Sequence, residues 1–239
     1  MISFAPAYDR HRKTFGIGWL CTLRFSDKQI PASRPGSIIL LFAALVMVNA
    51  CRSQQEPTLP ILGETSIDAE SGKLVHYTAP AFSFTDQQER FISEATVAGK
   101  IHVVDFFFTS CPTICPKMTS HLVQVQDHFE DEPKVGILSY SIDPQHDTPE
   151  RLAAYAERYQ INAERWSLLT SQESDVFALA KDYKVMAFDD TGHSLDGLIH
   201  DGTFVLVDDQ RRIRGYYNGL EAADVLRLIG DIEILLREI

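Results

Sequence analysis

Two cysteines four residues apart, Cys111 and Cys115, stand in Thr109-Ser110-Cys111-Pro112-Thr113-Ile114-Cys115-Pro116, after an apolar run and before residues at helical spacing. The thiolate is the form of cysteine that attacks disulfides and ligates metal. Proline decides where the helix starts. Pro116 cannot occupy a helix interior, so the helix begins close to residues 113–115 with Pro116 in its first turn. That puts Cys111 on the preceding loop and Cys115 at the helix N-terminus, where free N–H groups and the dipole are expected to lower its pKa. On so tight a turn both sulfurs can reach each other or a shared metal ion. An inert staple is the alternative, but a bridge over such a short loop removes little chain entropy.

Two thiolates are soft donors that favour Cu(I) or zinc, and neutral imidazole is the usual third ligand. Of the eight histidines, His11 lies near the N-terminus and His76 at a domain edge. His102 falls inside an apolar run, and His121 and His128 ride the helix away from its start. His146 sits beside another helix start and His193 in a polar loop; these read as structural or solvated. His200 differs, because it stands just before the strand Thr203–Val207, at a loop-to-strand junction.

The elements that must position these groups begin after a leader. Ser37–Ala50 is an apolar run preceded by basic residues, shorter than the roughly 20 residues of a membrane span and matched to a signal-peptide core. Val48-Asn49-Ala50-Cys51 resembles a bacterial lipobox, which makes Cys51 the acylated N-terminus of the mature chain; a buried helix ending in a chance cysteine is the competing reading. Residues 1–50 are thus read as leader, 51–75 as a lipid-anchored flexible tether and 76–239 as the domain. With Cys21 in the leader and Cys51 acylated, Cys111 and Cys115 remain the two free thiols, in a compartment that permits disulfides. Residues 51–239 hold 16 basic and 31 acidic side chains, an acidity that repels nucleic acid.

Within the domain, strand and helix signals alternate, which argues for an α/β layer architecture. Strands are expected at Phe82–Thr85, Ile101–Phe108, Val135–Ile142 and Trp166–Leu169, then at Thr203–Val207 and Ile213–Tyr217, the last two joined as a hairpin. Helices are expected over Met118–Phe129, from Asp147-Thr148-Pro149-Glu150 through Tyr159, over Glu173–Tyr183 and over Glu221–Arg237, the last with a stripe of Val225, Leu228, Ile229, Ile232 and Leu236. Phe188–His200 reads as a loop. The order resembles a thioredoxin-like fold: a central mixed sheet flanked by helices, with N-terminal and C-terminal β-hairpins. Oxidoreductases of that fold place a cis-proline before the strand that here begins at Thr203, yet no proline follows Pro149. Its absence, and CxxxC in place of CxxC, point toward metal binding.

Three ordered motifs resemble the Sco/SenC family, copper-binding thioredoxin-like proteins of cytochrome c oxidase assembly. They are Asp105-Phe106-Phe107-Phe108-Thr109 leading into the cysteine loop, Ser141-Ile142-Asp143-Pro144 followed by Asp147-Thr148-Pro149-Glu150, and His200 ahead of Phe204-Val205-Leu206-Val207. The resemblance implies Cys111, Cys115 and His200 as copper ligands. Many members carry an acid immediately before the histidine; here Ile199 stands there and Asp201 follows. Two functions are then in competition. One is a copper metallochaperone for the CuA-bearing subunit of cytochrome c oxidase or a similar exported copper protein, with another copper chaperone as a further partner. The other is a thiol–disulfide reductase acting on the cysteines of an exported partner. Either would work from a lipid anchor on a bacterial membrane, facing the periplasm or the cell exterior.

Overall fold

Residues Ile101–Phe107 form strand β5, and all seven are buried, as a near-continuous apolar run requires when both faces of a strand are covered. The computed structural model describes residues 57–172, 175–189 and 198–239. β5 is an inner strand, third from one edge, of a seven-stranded mixed sheet. Val135–Ser141 (β6) runs parallel to it, with Ile101 opposite Val135, and Trp166–Thr170 (β7) runs parallel to β6. Ser83–Asp86 (β3) and Phe91–Ser93 (β4) close one side as an antiparallel pair. Thr203–Val207 (β10) and Ile213–Asn218 (β11) close the other, giving the order β11-β10-β5-β6-β7-β3-β4. Two short ribbons stand outside the sheet: Thr65–Ile67 (β1) with Leu74–His76 (β2), and Ala187–Asp189 (β8) with Leu198–His200 (β9).

The parallel strands need crossover helices, and capping residues set where these start. Cys115–His128 (α1) has proline in its first turn and no side-chain cap. Pro149–Tyr159 (α2) is capped by Thr148, whose hydroxyl accepts from the Arg151 N–H at 3.3 Å. Val176–Asp182 (α3) is capped by Asp175, which accepts from the N–H groups of Phe177 and Ala178. Ala222–Glu238 (α4) buries Val225, Leu228, Ile232 and Leu235. Neighbouring β5 residues serve opposite faces. Phe107 meets Tyr155 of α2, whereas Phe106 meets Tyr140 and Tyr183. This is the thioredoxin-like α/β arrangement that the order of elements implies, with hairpins at both ends.

The long elements fall within a few residues of their expected bounds. α1 begins at Cys115, within the 113–115 start that Pro116 sets and three residues ahead of the apolar spacing from Met118, and the deep position near the end of α4 is Leu235, with Leu236 only packed against the core. Two stretches differ in kind. Residues 57–75, read as tether, are folded: the Leu62 N–H donates to the Ile213 carbonyl at 2.8 Å, and Leu59 and Leu62 pack against the core. The ribbon there is exposed on every residue of β1, so it carries no burial pattern for sequence reasoning to detect. Phe188–His200, read as loop, contains the ribbon in which Ala187 pairs with His200 and Phe188 with Ile199. The leader, Cys51, His193 and the start of the helix expected at Glu173 lie outside the described residues.

Candidate metal centre

The site is built where β5 ends. β10 runs antiparallel to β5, with Val205 opposite Val104, so Thr203 lies near the end from which the cysteine loop departs. Gly202, at φ +76°, turns the chain from β9 into β10, a conformation open to glycine at no cost in Cβ clash. The Gly219 N–H bonds back to the Gly202 carbonyl at 2.9 Å and fixes that turn. His200 is thereby carried to the cysteines: its Nε2 lies 3.1 Å from Cys115 Sγ. Among the described residues, Cys111, Cys115 and His200 form the group suited to a metal ion, with one ligand atom from each within 4.8 Å of the others. All three are buried. The Phe108 ring meets the His200 imidazole edge-on at 6.0 Å between centroids, walling that side with apolar surface.

The two sulfurs are electrostatically unlike. A hydrogen bond from Cys115, with further ones from His200 and from the N–H groups of Cys115 and Thr113, holds Cys111 down at about 3 against the opposing effect of burial. Cys115 is pushed far above the usual thiol range, first by its bond to Cys111 and then by burial, with the charges of Cys111 and Asp105 adding to this. The helix start does stabilise a thiolate, but on Cys111. Sequence reasoning gave that effect to Cys115; the N–H groups of residues 113 and 115 instead aim at the loop sulfur, while Cys115 turns into the interior.

Four other described histidines are placed away from the cysteines. His102 is buried in β5 and pulled down to about 4, chiefly by burial. His121 Nδ1 bonds the Gly219 carbonyl at 2.7 Å, His128 pairs with Glu233 at 3.0 Å and His146 with Asp143 at 2.8 Å. Asp201 does not stand in for an acid before His200. Its carboxylate accepts from the backbone N–H groups of Thr203 and Met186. The acid near the site is Asp105, buried in β5 beside its hydrogen-bond partner Ser139 and raised to about 7 by burial, with Ser139 and His200 pulling the other way. Its signal in the sequence was a charge inside an otherwise apolar strand.

Comparison with known proteins agrees with this geometry. The SCO1 protein homolog of Bacillus subtilis strain 168 is 32% identical over 163 residues, covering 66% of this chain and 83% of that protein. A SCO1/SenC family lipoprotein of Bacillus anthracis str. Ames superposes with a TM-score of 0.61 at 29% identity, over 67% of this chain and 95% of its own. BsSco, a member of the Sco family of cytochrome c oxidase assembly proteins in which a disulfide switch was identified, superposes with a TM-score of 0.58 at 30% identity, over 66% and 93%. Residues 71–236 match the SCO1/SenC family as a whole, a span that includes both cysteines, the histidine and every strand of the main sheet, and the chain therefore belongs to the SCO1/SenC family.

Proposed function

We propose that this protein is a copper metallochaperone that binds one copper ion as cargo through Cys111, Cys115 and His200 and delivers it to the CuA-bearing subunit of cytochrome c oxidase. The observation that carries the reading is the buried Cys–Cys–His group with its donor atoms within 4.8 Å. Two sulfurs and an imidazole suit a soft, trigonal Cu(I) ion better than the oxygen-seeking cations. Cys111 is already disposed to be a thiolate, and copper would displace the proton that Cys115 keeps, so loading releases a proton. The relationship to BsSco, from a family of cytochrome c oxidase assembly proteins, supports the choice of partner.

Titrating the reduced protein with Cu(I) against a competing chelator tests this. One ion bound per chain is expected, with affinity lost in Cys111→Ser, Cys115→Ser and His200→Ala. Undiminished binding in the histidine variant would remove it from the ligand set. Thiol–disulfide exchange is the second reading, favoured by one thiolate-prone and one protonated cysteine side by side. We also propose that Cys51 carries the lipid and that residues 51–56 tether the domain to the membrane. No helix among the described residues is long and apolar enough to cross one.

A further inference from the structure

The motif that opens α2 is not explained by metal ligation, yet it reaches the cysteine loop. Asp147 is fully buried. Its Oδ2 accepts from the Thr109 backbone N–H at 3.0 Å and from the Ser141 hydroxyl at 2.6 Å, and its Oδ1 accepts from the Thr109 hydroxyl at 2.5 Å. The Thr109 hydroxyl in turn accepts from Arg151 Nε at 2.7 Å, one turn along α2. Asp147 is itself pinned, because its own N–H donates to the Asp143 carbonyl at 2.9 Å. Thr109 stands two residues before Cys111, where the chain has left β5 and has not yet entered α1. Two donors of one residue thus converge on a carboxylate delivered by a different crossover.

We infer that Asp147 is the positioning residue of the cysteine loop, acting through Thr109 to set where Cys111 stands relative to Cys115 and His200. The chemistry of the contact explains the choice of side chain. A carboxylate is acceptor-only and can take all three donors aimed at it, whereas an amide would turn an N–H₂ toward one of them. Hydrogen bonds to a carboxylate are also shorter and stronger than neutral ones, which suits a clamp on a loop lacking regular structure. Ser141 shares the carboxylate but belongs to β6, so it supports Asp147 without touching the loop. That division separates positioning from simple support of the fold.

The test uses the full-length chain with Asp147→Asn, Thr109→Val, Thr109→Ser and Ser141→Ala. Its copper readout rests on the proposed function; its second readout, the equilibrium of the Cys111–Cys115 pair with reduced and oxidised glutathione, does not. Asp147→Asn and Thr109→Val are expected to weaken copper binding about tenfold or more, as loss of groups that orient ligands does. They should also shift the sulfur-to-copper absorption band of the Cu(II) form and displace the glutathione equilibrium. Thr109→Ser should restore all three, and Ser141→Ala should lower the melting temperature while leaving them in place. Folded Asp147→Asn and Thr109→Val proteins with wild-type copper and glutathione behaviour would overturn the inference. So would a Ser141→Ala protein that shifts the band and the equilibrium as far as they do. Should the wild type bind no copper, the metallochaperone reading fails alone, and the glutathione equilibrium still decides the role of Asp147.

Discussion

Cys111 and Cys115 are one residue type in one short loop, and their surroundings give them opposite dispositions. Hydrogen bonds from Cys115 and His200 hold Cys111 well below the usual thiol range, so it is the member of the pair disposed to be the thiolate. Its alkylation by iodoacetamide should be flat from pH 5 to pH 8, where an ordinary thiol with a pKa of about 8.5 gains roughly tenfold per unit. Cys115→Ala or His200→Ala removes a donor to the sulfur, and either should restore the slope; a steep profile in the wild type would refute the assignment. The sign of the linked stability follows from the same depression. The contribution is complete above the unfolded thiol's pKa and is lost progressively as pH falls toward 3. The residues of the candidate metal site were legible in the sequence because cysteine is scarce, the flanking prolines fix the helix start and His200 precedes a strand. Which thiol is charged was not legible, since that depends on where single N–H groups point. Asp105 and Asp147 were visible as letters, but their roles come from burial and from partners 34 and 38 residues away.

Among the elements, the sheet and the helices around it were legible because their apolar runs are long and because proline marks the first turn of α1 and α2, the latter capped by Thr148. The ribbons were not. β1–β2 and β8–β9 are three-residue strands, most of whose residues stay exposed or half-exposed, so neither alternation nor a sustained run announces them. Yet β9 delivers His200, and the turn behind it rests on Gly202 at φ +76°. A Cβ there would meet Leu220 at 3.4 Å and Met118 Sδ at 3.7 Å, so space is adequate and the backbone angle carries the cost. Gly202→Ala is therefore expected to destabilise by about 1–2 kcal/mol, with a fall in melting temperature of about 2–4 °C per kcal/mol. Gly202→Asn should lose less, because asparagine tolerates the left-handed region. Equal melting temperatures for the alanine variant and the wild type would show that the turn relaxes without strain.

At the scale of the molecule, the functional end of the sheet and the end that receives the N-terminal segment are opposite, and one buried arginine accounts for the second. Arg214 bonds Asp208 at 3.0 Å, Glu238 at 2.7 Å and the carbonyls of Leu59 and Pro60, so it ties the entering segment, the β10–β11 turn and the end of α4 together. The turn lies at the far end of β10 from Thr203, with Val207 opposite His102 near the start of β5. If Cys51 carries the lipid as proposed, eight Cα–Cα steps separate it from the clamp at Leu59, a reach of at most about 28 Å. Loss of the clamp would lengthen that reach as residues 57–62 peel away. Arg214→Ala leaves Asp208 buried with Arg212 as its one remaining cation partner among the described residues. Because Arg212 still pairs with Asp208, the loss should fall below the about 3–5 kcal/mol of a buried charge left without any partner. Urea unfolding should show that loss, and limited proteolysis should open a new cut before β1. The Cu(I) affinity of the folded fraction should stay unchanged, because Cys111, Cys115 and His200 draw no hydrogen bond from this end. A fall in affinity matching the fall in stability would instead mean that the two ends of the sheet are coupled.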